Sequence, residues 1–267
     1  MLAIRALCVL MLIGAYAATT ASATTRAIPG DHFLSASDVI ADIDLAEDAY
    51  ARIHPGYTRY TEAILLADAW EGLRERARRS DGMSAAELYL ALSRVLTLIR
   101  CDHTKAELPK ALREGRADAP LYLPLRWEWI EGRALVRYVP ESLGLSAGDE
   151  LLAIDGVSVT ERVREVEGLV PVDGYTDHAR AGEMGVSLEF MGGAVDHFGA
   201  LLHPPPPQAR LTVRTGQDDA RQVQVSRVDH ASWSTLVAEA GVASNFKDAV
   251  TFERIGEQAA YLRVDTF

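Results

Sequence analysis

The stretch Leu143–Val159 constrains the fold more than any other part of the chain. It reads Leu-Gly-Leu-Ser-Ala-Gly-Asp-Glu-Leu-Leu-Ala-Ile-Asp-Gly-Val-Ser-Val. Glu150–Ile154 is a short apolar run, and Asp155-Gly156 is a tight-turn dipeptide. Beyond the turn, Val157 and Val159 alternate with Ser158, the pattern of a half-buried strand. Before the run, Ala147-Gly148-Asp149 forms a turn through which the chain enters that strand abruptly. The local expectation is a β-strand with a turn at each end.

The same residues resemble the central signature of PDZ domains, in the form Gly-Leu, two residues, Gly-Asp, apolar run, Asn/Asp-Gly used by bacterial proteases. Here Gly144-Leu145, Gly148-Asp149 and Asp155-Gly156 carry it. PDZ domains grip extended peptide ends by adding a strand to a sheet edge. The resemblance therefore implies a PDZ-like unit, although any β-hairpin of an α/β protein fits the same residues. The glycine loop that binds the peptide carboxylate in ordinary PDZ domains has no visible counterpart near Leu123–Val139.

A length of 267 residues allows one large domain or two smaller ones. The formal charge of −11 and the lack of a lysine-rich run argue against nucleic acid or an anionic membrane as partner. Residues 1–23 read as a cleavable export signal. Arg5 supplies the positive start, Ala6–Ala18 the apolar core, and Ala21-Ser22-Ala23 the small-residue cleavage site. The apolar run is too short for a comfortable membrane span. Export to the periplasm or medium, with cutting after Ala23 and no membrane insertion afterwards, is the expectation. Removal of Cys8 with the signal would leave Cys101 without an intramolecular disulfide partner.

Organisation along the chain reads as α+β. Val39, Ile40, Ile43, Ala46, Tyr50 and Ile53 recur at helical spacing behind Ser37, a candidate N-cap. That helix must stop near Ile53, because His54 precedes Pro55 and is pushed out of the α region. A second helix, from about Thr61 to Arg79, closes with Arg74, Arg76, Arg78 and Arg79. A third begins at the capping box Ser84–Glu87, with Leu88, Leu92, Val95, Leu96 and Ile99 on one stripe. These three define a helical N-terminal domain over 37–104. After a mixed, charged 105–119, Leu123–Ile130 and Ala134–Val139 read as a hairpin. A PDZ-like domain with a long insertion is expected over 120–228. Glu161–Val170 and Gly182–Leu202 are its helical candidates, Pro204–Pro207 a stiff spacer, and Ala209–Thr215 with Arg221–Val228 a further hairpin. An irregular 229–245 precedes a last hairpin, Val250–Ile255 with Ala259–Thr266.

Few residues suggest chemistry. His103 follows the third helix, where an imidazole could face a cleft as a base or cap the helix C-terminus. Cys101 reads as a small apolar residue without a nameable activating partner. Asp102, His103, His54 and His32 lack the spacing of a metal site, so no metal and no cofactor are expected. Asp173-Gly174-Tyr175 with His178, and Gly192-Gly193, read as turns and breaks; no Gly-x-Ser-x-Gly elbow or Ser-x-x-Lys pair is present.

Four stretches nonetheless occur in the order seen in tail-specific, or C-terminal-processing, serine peptidases, with the tricorn core protease as a relative. They are His54–Thr61 (His-Pro-Gly-Tyr-Thr-Arg-Tyr-Thr), Cys101–Thr104 (Cys-Asp-His-Thr), Gly148–Gly156 and Ala260–Phe267 (Ala-Tyr-Leu-Arg-Val-Asp-Thr-Phe). The resemblance spans about 37–267. It implies a helical domain, a PDZ-like domain, and the opening strands, over 246–267, of an α/β catalytic domain that is cut short. It also implies peptide or protein C-terminal segments as partners and His103 as candidate general base. The family's nucleophilic serine and its oxyanion-hole backbone lie further downstream than these residues, so the chain alone is expected to be inactive. Many relatives read Asp-Gly-His-Thr where this chain has Cys101-Asp102-His103-Thr104, so no role passes to Asp102. A secreted, non-catalytic peptide-binding module is the alternative. Oligomeric state is not legible.

Overall fold

A computed structural model describes residues 27–187, 189–239 and 250–264. The expected signal over 1–23 lies outside the described residues, as do 240–249 and the three residues after Val264. The chain is α+β. Two short strands, β1 (Phe33–Ser35) and β2 (Gly82–Ser84), pair antiparallel and each ends in the N-cap of a helix. Ser35, not Ser37, caps α1 (Ala36–Ile53): its backbone is extended and its hydroxyl accepts from the Asp38 N–H at 3.3 Å. Pairing of Ser35 with Gly82 holds it extended, and so moves the cap two residues upstream of the local expectation. Ser84 and Glu87 form the expected capping box of α3 (Ala85–Thr97). Between them, α2 spans Ala63–Arg79.

The three helices enclose a core built on Val39, Ile43, Leu66, Trp70, Leu73, Ala77, Leu88, Val95 and Leu96. The Trp70 indole donates to the Tyr57 hydroxyl at 2.8 Å, so the largest ring in this core buries its polar atom satisfied. Helix α3 is buried on both faces. Leu88 and Val95 look into the bundle, while Ala85, Ala86 and Tyr89 pack into a second core around Leu123, Trp127, Leu151, Leu211 and Phe198. A short helix, α4 (Lys110–Ala117), leads to that second unit.

The second unit contains a six-stranded antiparallel sheet. Its strands are β3 (Arg126–Ile130), β4 (Arg133–Tyr138), β5 (Glu150–Ile154), β6 (Val157–Ser158), β7 (Gln208–Arg214) and β8 (Arg221–Ser226). They run in the order β3-β4-β5-β7-β8, with β6 folded back on β5. Both turns of the opening signature form. Gly148 (φ 94°) admits the chain to β5, and Asp155-Gly156 (φ 54° and 83°) makes a left-handed two-residue turn. The strand beyond that turn is shorter than the alternation suggests. Ser158 caps α5 (Val159–Val166), its hydroxyl accepting from the Glu161 N–H at 3.1 Å, so Val159 opens a helix. The Ser-x-x-Glu spacing outweighs the alternation.

Two other expectations are corrected. Gly182–Leu202 is not one helix: a 3₁₀ segment over Asp177–Glu183 is followed by irregular chain, and only Ala194–Leu202 (α6) is α-helical. Gly185 and Gly193 break it, for the backbones there approach so closely that a methyl group on Gly193 would overlap the Met184 carbonyl. Within 229–245, His230–Glu239 is a helix (α7) rather than irregular, started by the Asp229 carboxylate accepting from the Ser232 N–H at 2.8 Å. Trp233 anchors it against Leu121, Tyr122 and Ala200. The last hairpin forms over β9 (Val250–Ile255) and β10 (Ala259–Val264), with every residue of both strands exposed.

Candidate functional site

The segment after α3 is stiff. The Leu98, Ile99 and Arg100 N–H groups return to Val95, Leu96 and Thr97, and the Thr61 hydroxyl donates to the Leu98 carbonyl at 2.5 Å. The last carbonyls of α3 are thus taken by the following backbone and by Thr61, so the helix end is capped without His103. Arg100 then turns left-handed (φ 58°), and a turn closes from the Thr104 N–H to the Cys101 carbonyl at 3.0 Å. Thr104 is buried beneath this turn, Cys101 is half-buried, and His103 stands exposed on it.

A second segment, 168–177, is clamped against the turn. The Asp102 N–H donates to Asp173 Oδ1 at 2.8 Å and the Gly174 N–H to the Arg100 carbonyl at 2.9 Å. Arg100 returns a bond from Nε to the Gly174 carbonyl and pairs with Asp177 through Nη2 at 2.7 Å. Hydrogen bonds from Arg100 and Arg180 hold the Asp177 carboxyl below the usual range. Asp173-Gly174 is the expected turn, but its carboxylate also reaches across to the Cys101 turn. The donor atoms of Cys101, His103 and Asp173 all lie within 4.8 Å of one another. Neither Asp102 nor His54 nor His32 is in that group; Asp102 instead lies 3.9 Å from the Lys105 ammonium.

Alongside runs a cleft of about 390 Å³, walled by His54, Pro55, Gly56, Arg59 and Tyr60 on one side and by Arg100, Cys101, Asp173 and Gly174 on the other. Tyr60 meets Tyr175 edge-on at 5.5 Å, and the Arg100 guanidinium lies over the Tyr175 ring at 5.4 Å. Two of the motifs singled out in the sequence, His54–Thr61 and Cys101–Thr104, therefore meet around one opening, joined there by Asp173. Among the described residues, the motif around Ala260 lies in β10, which pairs with β9 alone.

The sheet offers two edges, β3 and β8. The insertion lies along β3: a methyl group on Gly185 would overlap the Trp127 carbonyl oxygen. Among the described residues, β8 pairs only with β7. Centred on α6 of the insertion is a buried polar cluster that sequence reading missed. Asp196 is buried among Arg116, Arg162 and Arg227, and burial, opposed by those cations, raises its carboxyl to about 6. His197, bonded to the Tyr89 hydroxyl at 2.8 Å, is pushed well below its ordinary value by burial and by Arg116. Arg116 itself is buried and donates to the His197 carbonyl at 2.9 Å. Arginines spaced over 116–227 carry no local pattern, so only the fold reveals that they converge.

The PDZ domain family model matches residues 120–232, the span of the six-stranded sheet with its insertion and the start of α7. Among solved structures, a crystal structure of a serine-to-alanine mutant of CPAF is similar at a TM-score of 0.51 and 15% identity, covering 85% of this chain and 47% of that one. Mature CPAF complexed with lactacystin matches at a TM-score of 0.47 and 17% identity, over 72% of this chain and 34% of that one. The chain thus spans less than half the length of these proteins. No curated protein matches the sequence. At 15% identity the likeness to the serine-to-alanine mutant is one of fold. The chain is an α+β protein with a PDZ domain over 120–232, preceded by a three-helix bundle.

Proposed function

We propose that these residues are the N-terminal portion of an exported serine-type peptidase of the tail-specific kind, in which the PDZ domain collects peptide or protein C-terminal segments. The PDZ match over 120–232 carries the reading, because PDZ domains bind peptide ends at a sheet edge. His103 is the proposed general base. It would take the proton of a serine hydroxyl supplied from outside these 267 residues as that oxygen attacks the peptide carbonyl. Its exposure on a turn fixed to Asp173 and beside the cleft suits a base that must reach a nucleophile carried by another segment.

Reading the coding sequence past codon 267 and assaying the product tests this. The expected result is a serine behind a glycine-rich turn, peptide hydrolysis blocked by a serine-directed reagent, and a loss of at least about a hundredfold in kcat for His103→Gln. A stop codon, or hydrolysis indifferent to His103→Gln, overturns it. A stop codon would favour the second reading, a secreted peptide-binding module without catalysis, which rests on the same PDZ match.

A further inference from the structure

We propose that Cys101, His103 and Asp173 form a binding site for a Zn²⁺ ion. A thiolate, an imidazole and a carboxylate are the three ligand types zinc takes, and three protein ligands leave a fourth position for water. Tetrahedral bonds of about 2.0–2.3 Å put such donors about 3.4–3.6 Å apart. The three donor atoms, all within 4.8 Å of one another, lie little farther apart than that. A sulfur and a nitrogen donor together disfavour Ca²⁺ and Mg²⁺, which take oxygen ligands.

The surroundings are built to hold the donors. Cys101 and His103 sit two residues apart on one closed turn, entered through the left-handed Arg100. Asp173 comes from a segment seventy residues away and is fixed by the Asp102 N–H, the outer hydrogen bond expected of a ligating carboxylate. The Arg100–Gly174 bonds and the Arg100–Asp177 pair lock the two segments together, and the pair occupies the cation that would otherwise oppose the ion. Cys101 and Asp173 both border the cleft, so an ion can reach the site from solvent there. On binding, the Cys101 thiol gives its proton to solvent and the sulfur donates its electron pair to the metal; affinity therefore falls as the pH is lowered.

The test uses the untagged chain, stripped with a chelator and titrated with Zn²⁺ against a chromophoric chelator, and in parallel with Co²⁺. One equivalent is expected to bind, with a thiolate-to-cobalt charge-transfer band in the near ultraviolet. Cys101→Ser should abolish that band, and Cys101→Ser, His103→Ala and Asp173→Asn should each weaken Zn²⁺ binding by at least about tenfold. Asp173→Asn keeps an acceptor for the Asp102 N–H, so loss of binding there reports the ligand and not the fold. Zn²⁺ should also slow alkylation of Cys101, read by peptide mass. Absence of saturable binding, a cobalt spectrum without the thiolate band, or affinity unchanged from the parent protein in all three variants would overturn the site. The proposal does not rest on the peptidase reading: a His103 imidazole that holds the ion through one ring nitrogen carries a proton on the other and cannot act as base in that state, whereas Cys101→Ser weakens the site and leaves His103 in place, so the metal titration and the hydrolysis assay test the two readings separately.

Discussion

Single residues divide into those whose chemistry is legible locally and those defined by the fold. His103 and Cys101 stand out because they lie in a short motif, yet their partner Asp173 reads in sequence only as a turn residue. Nothing local shows that its carboxylate crosses to the Asp102 N–H. Asp196 is a sharper case, since it lies within the helical candidate Gly182–Leu202 and the arginines around it come from α4, α5 and the chain just past β8. Its folded carboxyl, at about 6, lies above the ordinary 3.8, so the folded state keeps a proton that the unfolded chain loses. Stability should therefore fall as pH rises from about 4 through about 6, by on the order of 2–3 kcal/mol from this group. Asp196→Asn should remove that component. Urea midpoints of both proteins across this range check it, and parallel pH profiles would contradict it.

Elements were legible where a periodic pattern coincided with punctuation. The capping box at Ser84 and the Asp155-Gly156 turn fall where the residues place them because each needs only its own neighbours. Where the expected element differs from the one formed, a competing local bond explains it: Ser158 to Glu161 ends β6 early, and Asp229 to Ser232 starts α7. The β1–β2 pair was invisible because three-residue strands carry no period, although they set both helix caps. Ser84→Ala should cost about 1 kcal/mol through loss of the cap, measurable as a lower denaturant midpoint with unchanged slope. Gly156→Ala meets open space, so its cost of about 1 kcal/mol would be backbone strain at φ 83° alone. Gly185→Ala has an ordinary φ but would collide with the Trp127 backbone. It should cost more than Gly156→Ala and loosen the insertion from β3, seen as faster amide exchange along that strand. Equal costs for the two would contradict the close approach.

At the scale of the whole molecule, the order of helices then sheet was legible from the change of hydrophobic period near Leu121. How the two units join was not, because α3 carries an apolar stripe that accounts for one face only. The structure buries its other face as well, with Tyr89 bonded to His197 in the insertion. The bundle and the PDZ domain should therefore unfold in one transition. Calorimetry showing two separated transitions would count against a shared α3. Capture of peptide ends by the PDZ domain over 120–232 is the central proposal, and a single titration tests it most directly. Tryptophan fluorescence of the purified chain would be followed as peptides ending in apolar residues are added, each with a free carboxylate or as its amide. Saturable binding that weakens at least about tenfold on amidation is the expected result. No saturable binding by either form, or equal binding by both, would contradict it.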